Sequence, residues 1–100
     1  MKFNEKVLEL CKKIPRGRVT TYKIIAGKLK TKAYRAVGTA LKNNNQPIII
    51  PCHRVINSNG SLGGYQGKLS NPNKIELLNK EGIEIKNDKI VEFEKCLHRY

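Results

Sequence analysis

A cysteine, a histidine and an arginine stand side by side at positions 52–54, with Pro51 before them and the apolar runs Ile48-Ile49-Ile50 and Val55-Ile56 on either side. A thiol is a good nucleophile once deprotonated, and an imidazole exchanges a proton near neutral pH. Cys52 and His53 therefore supply the minimum for an activated sulfur nucleophile. A free thiol with a pKa of ~8.5 is only slightly ionised at neutral pH, so a base is needed. Pro51 fixes its own φ and holds Ile50 extended, and the flanking Ile and Val residues predict buried β-like segments, which puts the thiol on a rigid, apolar-walled bend. The competing reading is structural: a buried Cys is commonly a small hydrophobe and a buried His a satisfied core residue, so adjacency alone does not establish catalysis. Glu81 is a further candidate. It falls at the end of a predicted helix, where the negative end of the dipole gives a carboxylate no benefit, which favours a functional or pairing role.

Helical spacing of Phe3, Val7, Leu10, Cys11 and Ile14 predicts a first helix ending before Pro15, with Asn4 as its cap. Pro15-Arg16-Gly17-Arg18 is a cationic turn. Thr20 or Thr21 then caps a short helix with Ile24, Ile25 and Leu29 on its apolar side. Lys30-Thr31-Lys32 breaks the pattern, and another helix runs from about Ala33 to Lys42 on Val37 and Leu41. Two short helices so close predict a helix-turn-helix over about 21–43. Ala33, Ala36, Gly38 and Ala40 leave the second of them almost bare, which suits a groove or helix packing equally. After the active-site segment 47–56, Asn59-Gly60 predicts a hairpin turn between Val55-Ile56 and Leu62, opening a wing and pocket loop over 57–67. Asn71-Pro72 opens a last helix, 72–81, with Ile75 and Leu78 inward, and residues 83–93 alternate as a terminal hairpin. Residues 94–100 carry no pattern. The expectation is one domain, 1–100, mainly α with small β, of winged helix-turn-helix type.

Twenty Lys and Arg stand against eight Asp and Glu, a net charge of +12. Twelve of those bases and two of the acids lie in residues 1–42, which puts +10 on the helix-turn-helix half. A polyanion such as DNA is the natural partner, since each neutralised phosphate releases a condensed counterion. Cys11, Cys52 and Cys96 are odd in number and widely spaced, without a zinc-ligand pattern, which predicts reduced cysteines and no metal. No stretch has transmembrane length or the look of a signal peptide, so a soluble cytoplasmic protein is expected, nuclear if eukaryotic, with no membrane partner.

Pro51-Cys52-His53-Arg54-Val55, preceded by the Ile run and followed by Gly63-Gly64-Tyr65, resembles the active-site signature of the O6-alkylguanine-DNA alkyltransferases, or methylated-DNA–protein-cysteine methyltransferases. The resemblance extends to Thr21-Tyr22, Arg35-Ala36-Val37-Gly38, Asn44, Gly67, Lys74 and Glu81-Gly82, about residues 4–82. It implies single-turnover transfer of an alkyl group from O6 of a flipped guanine in double-stranded DNA to Cys52, by a monomer without a cofactor. Carried over by position, Glu81 orients His53, which deprotonates Cys52 through water; Tyr22 protonates the leaving guanine at N3; and Asn44 is a hinge between recognition helix and active site. Arg35 is a finger that fills the emptied base stack, with Ala33, Ala36, Gly38, Thr21, Arg16 and Lys32 completing a minor-groove surface. The Val55 carbonyl, Tyr65 and the Gln66 N–H line the base pocket, Gln66 replacing the commoner small residue there. The family's additional N-terminal domain has no counterpart here, so the catalytic domain is expected to stand alone, without the structural metal that some members hold. Two rivals remain: a non-catalytic alkyltransferase-like lesion binder, which typically carries Trp in place of the cysteine, and a winged-helix transcription factor, for which the Cys-His-Arg centre has no use.

Overall fold

The computed structural model describes residues 2–44, 49–65, 68–69 and 72–100, with backbone alone for 64–65 and 68–69. Helix α1 spans Phe3–Lys12 and buries Val7, Leu10 and Cys11. Its N-cap is Lys2, with no side-chain cap bond, and not the expected Asn4. Helix formation begins one residue before that asparagine, which puts Asn4 inside the first turn, where it cannot cap. Strand β1, Thr20–Thr21, runs directly into α2, Tyr22–Lys28, and the Thr21 hydroxyl accepts from the Ile24 N–H at 3.0 Å as its cap. Helix α3, Tyr34–Lys42, buries Val37, Ala40 and Leu41. Ala33 and Ala36 are exposed, and nothing lies within 4 Å of where a Cβ on Gly38 would stand. Ala40 alone of the four small residues serves the core; the others leave an open surface.

Beyond α3, Cys52–Arg54 forms one 3-10 turn that feeds β2, Val55–Ile56. Ile50, Val55 and Ile56 are buried as expected, but Ile49 is 74% exposed, so the upstream run is not a buried segment throughout. Strand β2 pairs with β1 in parallel, Thr20 opposite Val55 and Thr21 opposite Ile56. The expected hairpin between Val55-Ile56 and Leu62 does not form. Residues 57–61 make a tight turn, the Asn57 N–H donating to the Ser61 carbonyl at 3.0 Å, but Ser61 then bridges Lys89. The Leu62 N–H, which would have had to turn back towards Val55-Ile56, donates instead to the Asp88 carbonyl at 3.1 Å. An antiparallel hairpin lies further on, between β3, Gly64–Tyr65, and β4, Lys68–Leu69.

Helix α4, Pro72–Lys80, is followed by a second antiparallel hairpin of β5, Ile85–Lys86, and β6, Lys89–Ile90. The last residues, which show no pattern in sequence, form α5, Phe93–Cys96, and then a strap beside β1. Val19 N–H donates to the Cys96 carbonyl at 2.9 Å, and the Thr20 hydroxyl donates to the His98 carbonyl, also at 2.9 Å. Two core clusters meet at β2, whose alternation sends Val55 into one with Val7, Ile25, Val37 and Cys52, and Ile56 into the other with Val19, Leu62, Leu78 and Ile83. The helix-turn-helix, the active-site turn and the last helix are thereby fixed to one another.

Candidate active site

Three elements converge on Cys52. The 3-10 turn carries it, with its own N–H donating to the Ile50 carbonyl at 2.8 Å. Asn44, just past α3, donates from its side-chain amide to that same Ile50 carbonyl at 2.9 Å, and also hydrogen-bonds the Cys52 sulfur. It thus ties the end of the recognition helix to the residue before Pro51. Helix α4 brings in Lys74 and, at its C-terminal cap, Glu81.

Glu81 is placed by a Schellman ending: the Gly82 N–H donates to the Asn79 carbonyl at 3.0 Å and the Ile83 N–H to the Leu78 carbonyl at 3.1 Å. Gly82 has φ +85°, the left-handed conformation that this ending needs and that glycine adopts without penalty. The Glu81 carboxylate is only 6% exposed and holds His53 and Arg54 at once, with the Gly17 N–H a more distant donor at 3.5 Å. Its Oε2 lies 2.8 Å from His53 Nε2, and Arg54 donates to both its oxygens, Nε to Oε1 and Nη2 to Oε2, each at 2.8 Å. The third arm of Arg54, Nη1, donates to the Ile14 carbonyl at 2.8 Å. Burial pushes the Glu81 carboxyl up, but the bonds from Arg54 and His53 outweigh that and hold it below its usual value. As an ionised carboxylate it only accepts, so His53 must carry its proton on Nε2 and present Nδ1 as the basic nitrogen. Burial lowers the His53 pKa, against the raising effect of Glu81, so the ring is neutral and able to take a proton.

The thiol needs such help. Burial raises the Cys52 pKa, and the Asn44 bond and the Lys74 charge only partly offset it. The Tyr22 hydroxyl is also pushed up, to about 12, first by burial and then by the neighbouring Cys52 and Cys11, so it remains a proton donor at neutral pH. Tyr22 packs against the core cluster that contains Cys52.

Two residues matter more than the sequence suggested. Arg54 belongs to the motif, yet its bidentate grip on a residue 27 positions away has no local signal. Lys74 is 1% exposed, with Nζ donating to the Val55 carbonyl at 2.8 Å and to the Leu62 carbonyl at 2.5 Å. Burial lowers its pKa to about 8. In the sequence it is one of the residues that carry the family resemblance and stands four residues before the inward Leu78, but neither signal gives it a role. The Val55 carbonyl expected to meet a guanine amine is therefore already held by an ammonium, which leaves one lone pair.

Tyr22, Arg35 and Gly38 share an open cleft of about 640 Å³ with Lys23, Tyr34 and the 57–59 turn. Arg35, Lys32 and Arg16 are exposed, but Arg16 also donates to the Lys80 carbonyl at 3.0 Å, capping α4. Gln66 lies outside the described residues, as does the side chain of Tyr65. Among the described residues no group of three or more potential metal ligands comes together.

Fold and site together define a helix-turn-helix domain with a buried cysteine thiol and a His-carboxylate pair packed behind its second helix. Residues 2–83 match the DNA-binding domain of 6-O-methylguanine DNA methyltransferase, and the chain belongs to that family. A methylated-DNA–protein-cysteine methyltransferase of Candida glabrata is 53% identical over 78 residues, 77% of this chain and 37% of that protein. The constitutive methylated-DNA–protein-cysteine methyltransferase of Bacillus subtilis is 45% identical over 84% of this chain and 51% of its own length. The chain thus spans between about a third and a half of these curated relatives. Among solved structures, S. pombe Atl1 in complex with damaged DNA containing O6-carboxymethylguanine is similar over 100% of both chains, with a TM-score of 0.86 and 28% identity. Mycobacterium tuberculosis OGT in complex with DNA is similar over 81% of this chain and 48% of its own, with a TM-score of 0.73 and 39% identity.

Proposed function

We propose that this protein repairs O6-alkylguanine in double-stranded DNA by moving the alkyl group to Cys52, once per molecule. The observation that carries this reading is the continuous chain Arg54–Glu81–His53 beside the buried Cys52 thiol. His53 removes the thiol proton through Nδ1 by way of water, and Glu81, held ionised by Arg54, stabilises the imidazolium that forms. The thiolate attacks the alkyl carbon; the S–C bond forms as the C–O6 bond breaks, and the electron pair leaves with the guanine. Tyr22 gives that guanine a proton at N3. The product is a thioether with no low-barrier route back to a thiol, so the protein is consumed.

A guanine O6 inside a stacked duplex is out of reach, so the base must be flipped, with Arg35 filling the gap from the minor groove. The exposed Ala33 and Ala36 and the half-buried Gly38 let α3 approach closely, with the exposed Lys32 beside them; Thr21, only 3% exposed and occupied as the cap of α2, is not part of that surface, contrary to the expectation from sequence. These residues, like the catalytic ones, lie within the matched residues 2–83. Action on DNA supports a cytoplasmic location, or a nuclear one in a eukaryote, as part of this reading.

One observation favours a second reading, lesion binding without chemistry: S. pombe Atl1, similar over the full length of both chains, is in complex with damaged DNA containing O6-carboxymethylguanine. Cys52 argues for transfer, since non-catalytic alkyltransferase-like lesion binders typically carry Trp there. Mass spectrometry after incubation with an O6-methylguanine oligonucleotide decides between them. A single methyl adduct on the Cys52 peptide, absent from Cys52→Ala, is expected. Tight lesion binding with no adduct would establish the second reading instead.

A further inference from the structure

Tyr34 is the first residue of α3 and the neighbour of Arg35, and it is 44% exposed. The other described aromatics are better used by the fold: Phe3, Tyr22 and Tyr100 pack against one core cluster and Phe93 against the other. Tyr34 lines the 640 Å³ cleft together with Tyr22, Lys23, Arg35 and Gly38, and the far wall is the polar turn Asn57-Ser58-Asn59. The residues lining this cleft include two cations and no carboxylate. A partly apolar ring at the mouth of a cationic cleft, with bare Ala33 and Ala36 beside it, suits a flat, anion-linked ligand better than it suits a protein surface.

We propose that Tyr34 is a stacking residue for DNA, its ring lying against a base next to the lesion, outside the alkylguanine pocket. The proposal rests on the reading of DNA as the partner and adds a specificity-determining contact to it. Two planar groups then stand side by side on one turn of α3. The Arg35 guanidinium enters the emptied stack, and the phenol ring covers an adjacent base face that bending and flipping have exposed. Stacking on an aromatic ring tolerates any base, so Tyr34 would strengthen the grip on opened DNA without reading sequence. The ring, and not the hydroxyl, is the active part.

The test compares wild type with Tyr34→Phe, Tyr34→Leu and Tyr34→Ala, on an O6-methylguanine duplex and on free O6-benzylguanine, which needs no flipping. The Ala and Leu variants are expected to lose about tenfold in the rate of Cys52 alkylation on the duplex, as for one lost base stack, and nothing on the free base. Tyr34→Phe should match wild type on both. The slope of duplex affinity against salt should be the same in all four, because no phosphate contact is removed. An unchanged duplex rate for Tyr34→Ala would overturn the proposal, as would equal losses on duplex and free base, which would make Tyr34 a support of the fold. A defect in Tyr34→Phe would assign the role to the hydroxyl instead. Should wild type alkylate from neither substrate, the transfer reading fails by itself, and duplex affinity of the same variants still tests the stacking.

Discussion

Replacing Glu81 by Gln keeps the shape of the side chain and removes its charge, and the structure lets both consequences be sized. The carboxylate accepts three hydrogen bonds at 2.8 Å, one from His53 and two from Arg54. A bond to a charged group contributes about 1.5–3 kcal/mol and a neutral one about 0.5–1.5, so the imidazolium loses about 1–2 kcal/mol of stabilisation. At about 1.4 kcal/mol per decade that is roughly a tenfold slower transfer. The fold also suffers. Arg54 and Glu81 are 14% and 6% exposed, and removing one partner of a buried pair costs about 3–5 kcal/mol, a large part of a small domain's stability. A rate defect in Glu81→Gln alone would therefore be ambiguous. The double variant Arg54→Met, Glu81→Gln removes both charges and should recover most of the stability, less about 1 kcal/mol for the Ile14 carbonyl that loses its donor. Thermal melting followed by circular dichroism measures the first effect, and single-turnover alkylation by free O6-benzylguanine measures the second. Recovery of wild-type melting together with wild-type rate in the double variant would refute the argument: Glu81 would then hold the fold without acting through His53.

Three further outcomes are expected. The Lys74 ammonium has a folded pKa of about 8 and an unfolded one near 10.5, so between those values the unfolded chain binds the extra proton and stability rises with pH; urea midpoints should show this in wild type and not in Lys74→Met. Arg35→Ala should slow alkylation on duplex DNA by at most the equivalent of a few kcal/mol and leave the free-base rate unchanged, while equal losses would withdraw the finger assignment. Lys32→Ala should weaken binding to damaged and intact duplex alike and lower the salt slope by about one unit, whereas Arg16→Ala should in addition lower the melting temperature, because Arg16 also caps α4.

Local chemistry was enough for part of this protein. The helices were legible because their apolar residues repeat at helical spacing and because Thr21 and Gly82 are terminus residues whose roles depend only on the backbone beside them. The Cys-His-Arg string was legible because its members are adjacent, whereas Asn44 was singled out only by the family resemblance. Tertiary structure decided the rest, and the physical reason is distance along the chain. The grip of Arg54 on Glu81 spans 27 residues and the hold of Lys74 on the Val55 carbonyl spans 19, and a lysine on a short helix reads as a solvated charge until its ammonium is seen between two carbonyls. The parallel pairing of Thr20-Thr21 with Val55-Ile56 rests on two-residue strands, too short for any periodicity, and the hairpin that Asn59-Gly60 suggested gives way to the bridge of Ser61 to Lys89 and the bond of Leu62 to Asp88, far along the chain. The last residues have no pattern of their own because their order comes from β1, whose free edge they complete.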